Sequence, residues 1–148
     1  MFTNILIPTD GSELSVMASS RAIDMAKVFK AKATILLVSP TFRQVADEGF
    51  IVPGLHTTKR EWERNVTERA RKVLDAAAAA ARKAGVACET VHVFRDMPHA
   101  SIIDTAKKNS CDLIVMGSHG YGGFKQWVLG SETTRVLSQS KIPVLVYR

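Results

Sequence analysis

Residues 117–131 read GSHGYGGFKQWVLGS, and they stand between an apolar run, Leu113-Ile114-Val115-Met116, and a segment where Thr134, Val136 and Leu137 keep helical spacing toward Lys141. The apolar run is short, continuous and rich in branched residues, as a parallel strand covered on both faces requires. Gly117 ends that strand, and Ser131 has the side chain of a helix N-cap. The stretch is therefore expected to join the C-terminal end of a central strand to the start of a helix. Main-chain N–H groups at such a start lack partners within the helix, and the helix dipole adds partial positive charge, so a phosphate is favoured there. Glycines let a polyanion approach the backbone closely.

The same alternation runs outward from this point. Asn4 to Pro8 reads as a first strand, and Ser12 caps a helix whose Leu14, Met17, Ala18, Ala22, Met25, Ala26 and Phe29 are expected to share the buried face. Ala33 to Val38 is a second strand. Pro40 to Thr57 is long for a plain loop and is expected to hold a lid, a short helix or an interaction surface. Thr58 to Ala84 is strongly helical, with Gly85 as its stop. Cys88 to Phe94 gives a third strand with Val91 and Val93 on one face. Pro98 opens a helix buried through Ile102, Ile103 and Ala106. Asp112 to Met116 and Pro143 to Tyr147 complete five strands. Strand and helix alternating in this way define an α/β fold built as an open, doubly wound parallel sheet.

The glycine spacing has a further implication. Two residues separate Gly117 from Gly120, nine separate Gly120 from Gly130, and Ser131 follows at once. This register resembles the G-x2-G-x9-G-[ST] signature of the universal stress protein family, in its ATP-binding branch. Ile5-Leu6-Ile7-Pro8-Thr9-Asp10-Gly11-Ser12 is similar to the family's opening strand and turn, and Ile142-Pro143-Val144-Leu145-Val146 to its closing strand. The resemblance spans almost the whole chain. It implies one domain over residues 1–148 and a single five-stranded parallel sheet of order 3-2-1-4-5 with helices on both faces. Strands one and four then lie side by side at the reversal of winding, where open α/β sheets hold ligands.

By the same resemblance the ligand is ATP, which Mg2+ can accompany. Pro8, Thr9 and Asp10 would line the nucleoside, and Val38 would touch adenine. Gly117, Gly120, Gly130 and Ser131 would hold the phosphates, with the backbone of Glu132 and Thr133 contributing. Met116, at the end of the fourth strand, and His119, as a hydrogen-bonding lid residue, complete the candidate set. Asp10 has chemistry of its own, since a carboxylate accepts from ribose hydroxyls or an adenine amino group, or else holds its own turn. The resemblance also implies a homodimer paired through the last strand, which would satisfy an apolar edge. Two residues depart from the family pattern. Glu132 stands where an uncharged side chain is usual, and Asp96 replaces a glycine two positions before Pro98.

Composition bounds the rest. The chain has 148 residues, 46% of them hydrophobic and 23% charged, the balance of an ordinary globular domain. The formal charge of +6 does not mark a nucleic-acid binder, because the cations between Lys59 and Lys83 alternate with Glu61, Glu63, Glu68 and Asp75, and aromatic interleaving is missing. The first eight residues show neither a basic leader nor a membrane-length apolar run, so the cytoplasm is the expected location. Cys88 and Cys111 lack C-x-x-C spacing and are expected to be buried, reduced thiols. His56, His92 and His99 lack metal-ligand spacing. Phe124, Trp127 and Leu129 are expected to form the apolar face of a short helix closing the loop.

A regulatory nucleotide-binding module is the leading functional expectation. No G-x-x-x-x-G-K-[ST] sequence supplies the lysine and metal-holding hydroxyl of a P-loop enzyme. Slow ATP hydrolysis or phosphoryl transfer aided by His119 or Asp10 is the enzymatic alternative. A flavin carrier is disfavoured by a first turn without a hydroxyl-rich phosphate loop, and a partner-binding protein with a vestigial pocket is the remaining alternative.

Overall fold

The computed structural model describes residues 1–51, 57–120 and 129–148. Five parallel strands form one sheet: β1 (Asn4–Pro8), β2 (Lys32–Ser39), β3 (Cys88–Phe94), β4 (Leu113–Gly117) and β5 (Val144–Tyr147). Their order is β3-β2-β1-β4-β5, as the resemblance implies. The helices between them are α1 (Glu13–Phe29), α2 (Phe42–Asp47), α3 (Lys59–Ala84), α4 (Pro98–Lys108) and α5 (Ser131–Gln139).

Side chains alternate across the central strands, so one strand feeds two cores. Ile5, Ile7, Ile35, Leu37, Leu113 and Val115 pack with Ala22, Ala26, Ala70 and Leu74 of α1 and α3. Leu6, Leu36, Ile114 and Met116 face the other way, onto Ile102 and Ala106 of α4 and Val136 of α5. The sheet is thereby covered on both faces. No helix among the described residues is long and apolar enough to cross a membrane.

The helix ends follow local chemistry. Ser12 Oγ accepts from the Ser15 N–H at 3.4 Å and starts α1. Thr58 and Glu61 exchange hydrogen bonds as a capping box at the head of α3, and Gly85 closes it with φ 76°. Thr41 starts α2, so the segment after Pro40 does hold a short helix. Asp96 Oδ1 accepts from the Thr41 N–H at 3.1 Å and hydroxyl at 2.6 Å, tying that helix to the turn after β3. Rings add a second tie, with Phe42 against Trp62 and Trp62 against Phe94.

Three expectations need correction. The buried face of α1 comprises Ser15, Ala18, Ser19, Ala22, Ile23 and Ala26, while Met17 is exposed. Ser15 and Ser19 tolerate burial because their hydroxyls donate to the carbonyls of Ser12 at 2.9 Å and Ser15 at 2.7 Å. Gly130, in extended conformation, is the N-cap of α5, which makes Ser131 the first helical residue. Cys111 is buried, but Cys88 is only partly so; burial raises both thiols above their ordinary pKa. His56, Phe124 and Trp127 lie outside the described residues.

Candidate functional site

Strand pairing makes the site. β1 follows β2 along its whole length, from Asn4 opposite Lys32 to Pro8 opposite Leu36, but pairs with β4 only at Ile5–Leu113 and Leu6–Ile114. Beyond those pairs the two strands part, because their following segments turn to opposite faces of the sheet. A cavity of about 640 Å³ opens there. That is ample for a nucleotide-sized ligand.

Each candidate residue lines this one cavity. Pro8, Thr9 and Asp10 come from the end of β1, and Val38 from the end of β2. Met116 and Gly117 end β4, and His119 and Gly120 begin the loop after it. Gly130, Ser131, Glu132 and Thr133 form the head of α5. The structure thus brings together residues more than a hundred positions apart.

Asp10 holds its own turn and also faces the loop. Its Oδ1 accepts from the Ser12 N–H at 2.9 Å, while a Cβ added to Gly120 would collide with Oδ2. A side chain at 120 would therefore oblige the Asp10 carboxylate, which the Ser12 N–H holds, to shift. Thr9 donates its N–H to the Leu36 carbonyl at 2.8 Å, and its hydroxyl lies 3.0 Å from that of Ser15. Ser118 carries the pairing onward from β4, donating to the Tyr147 carbonyl and accepting from Gly130, both at 2.8 Å.

The Gly130 contact folds the far end of the loop back against its beginning. A Cβ at Gly130 would meet His119 Cα at 3.2 Å and the Ser118 carbonyl at 3.3 Å, so a side chain would push the loop ends apart. Thr133 Oγ1 donates to the Gly117 carbonyl at 3.1 Å and docks α5 on β4. No side chain caps α5. Among the described residues the N–H groups of Ser131, Glu132 and Thr133 have no acceptor, which leaves the helix dipole and three donors for an anion.

The Glu132 side chain turns toward α4. Its Oε2 accepts the His99 main-chain N–H at 2.7 Å and lies 2.9 Å from His99 Nδ1, and its Oε1 lies 3.1 Å from Arg135. His119 Nδ1 lies 3.1 Å from the Ser118 hydroxyl. Among the described residues, no three His, Cys, Asp or Glu are grouped to hold a metal. None of the described side chains therefore belongs to a cluster that would hold Mg2+ by itself.

Sequence reasoning missed Ser15, Leu36, Pro40, Pro98 and Ile102, which complete the lining. Leu36 and Pro40 share the strand end that carries Val38, so the period of two pointed to Leu36. Pro98 and Ile102 reach the cavity because α4 packs against α5 and β2, a tertiary fact without a local signature.

A model of the universal stress protein family matches residues 1–148. The chain belongs to that family. This universal stress protein is 32% identical to universal stress protein YxiE of Bacillus subtilis over 150 residues, covering both chains fully. The solved structure of MJ0577, a universal stress protein of Methanocaldococcus jannaschii, superposes with a TM-score of 0.79 at 29% identity, over 99% of this chain and 95% of that one. A universal stress protein solved in complex with cAMP shares the fold, with a TM-score of 0.68 at 24% identity over 99% and 97% of the two chains.

Proposed function

We propose that this universal stress protein is an adenine-nucleotide-binding module of the stress response, taking ATP, in which residues 1–148 act as one domain. One observation carries the reading: the Asp10 turn and the glycine-flanked head of α5 line the same cavity. Asp10 offers a carboxylate to sugar or base hydrogens at one end. At the other end, the N–H groups of Ser131, Glu132 and Thr133 offer donors and a positive dipole to phosphate oxygens. Between them Val38, Leu36 and Ile102 give an apolar wall suited to a purine face. The closeness of the Asp10 carboxylate to Gly120 lets the β1 turn and the loop after β4 act on one ligand.

The fold has room for such a ligand, since a relative of the same architecture holds cAMP. Any Mg2+ would arrive with the phosphates and be held chiefly by them. The two free cysteines fit a reducing cytoplasm. Edge strand β5, where Leu145 is exposed, fits pairing with a second copy of the chain.

Equilibrium titration with a labelled ATP analogue tests the proposal. Saturation that unlabelled ATP reverses is the expected result, and no saturation at millimolar nucleotide rejects it.

A further inference from the structure

Two carboxylates line the cavity, and they are placed differently. Asp10 lines it from the turn after β1. Glu132 is the second residue of α5, the helix whose first-turn residues line the cavity. An anion bound by their N–H groups lies within about one helical turn of the Glu132 carboxylate.

Glu132 is not free to swing away. Its Oε2 takes the His99 N–H at 2.7 Å with the buried His99 ring at 2.9 Å, and Arg135 holds Oε1 at 3.1 Å. The main-chain contact supplies α4 with the cap that its own N-cap residue, Met97, does not provide. Two helix N-termini thus converge on this end of the cavity, and the chain's own carboxylate already occupies one of them. Only the head of α5 remains for a ligand's charge. Because both Glu132 oxygens are engaged by donors, the side chain is also poorly disposed to recruit a cation that would offset a polyphosphate.

We propose that Glu132 limits the charge this pocket tolerates, so that it takes ATP but holds adenine nucleotides with one phosphate group more tightly. The inference rests on the nucleotide-binding reading above and adds to it a residue that sets ligand preference. Each further phosphate adds negative charge beside a fixed carboxylate in a partly dehydrated cleft. Arg135 relieves part of that repulsion from the solvent side, where its side chain is 54% exposed. The remaining penalty for the triphosphate is about tenfold in affinity.

The test is titration of the full chain, freed of nucleotide, with AMP and with ATP in chelator at constant ionic strength. The wild type is compared with Glu132→Gln and Arg135→Gln. The wild type should bind AMP about tenfold more tightly than ATP. Glu132→Gln keeps a carbonyl oxygen to cap α4, and should tighten ATP about tenfold while AMP moves by less than about threefold. Arg135→Gln removes the compensating cation and should widen the gap, an opposite sign that a general loss of structure does not produce. This second variant decides the matter should Glu132→Gln not fold.

Equal wild-type affinities for AMP and ATP, or parallel shifts of both nucleotides in the variants, would overturn the charge limit while leaving nucleotide binding intact. Failure of either nucleotide to saturate the wild type would overturn both readings.

Discussion

The two ends of the sheet are finished in opposite ways. At the amino ends of the strands polar groups are tied to one another. Asp112 accepts from the Thr3 N–H at 2.8 Å, the Thr3 hydroxyl at 2.8 Å and the Asn4 N–H at 3.1 Å. Asn4 is buried, donates to the Asn109 carbonyl at 2.8 Å and accepts from Thr34 at 3.2 Å. At the carboxyl ends β1 and β4 part after two paired residues, and α5 begins without a side-chain cap. One end spends its hydrogen bonds on holding the fold, while the other leaves donors for something else. Stability and ligand binding should therefore respond to different substitutions.

The largest expected effect is on the closed end. Asp112→Ala should lower the unfolding free energy by about 2–3 kcal/mol, because three donors lose a charged acceptor. Urea denaturation measures it, and nucleotide affinity should not change. Burial pushes the Asp112 pKa up, but the hydrogen bonds from Asn4 and Thr3 outweigh it and hold the carboxyl below its ordinary 3.8. Its stabilisation is thus complete above that value and is lost as pH falls through the lower folded one. The variant should show a flatter acid limb of stability.

The open end should behave in reverse. Gly120→Ala forces a Cβ onto the Asp10 carboxylate and should weaken nucleotide binding roughly thirtyfold, with little effect on the urea midpoint. Asp10→Ala should cost about tenfold in affinity and less than about 1 kcal/mol in stability. A large stability loss in either variant would erase the division between the two ends.

The smallest effect concerns the far edge, where His92 lies 2.9 Å from Ser39 and packs on Phe94. Burial lowers its pKa from the ordinary 6.5. The contribution is therefore present above pH 6.5 and is lost as pH falls through the lower folded value. A melting temperature that declines slightly on acidification, with the decline reduced in His92→Phe, would sharpen the contrast with Asp112.

Much of this was legible in the chain itself. Strands with continuous apolar runs and helices with clear caps appear where their residues demand, because those signals are local. The glycine register pointed to the cavity through the family resemblance. What stayed hidden depended on distant partners or on hydroxyls. Counting large apolar residues put Met17 on the buried face of α1, but Ser15 and Ser19 satisfy themselves within the helix and take the face instead. Ser131 looked like the cap of α5, yet Gly130 folds back on Ser118 and assumes that position. Glu132 stood out as a departure, but nothing local ties it to His99, 33 positions earlier.

The most direct test of the central claim is a crystal structure of the protein with bound adenine nucleotide. The account predicts phosphate oxygens against the N–H groups of Ser131 to Thr133 and the ribose beside Asp10. A nucleotide seated anywhere other than the cleft between β1 and β4, or bound there with its phosphates pointing away from α5, would contradict it.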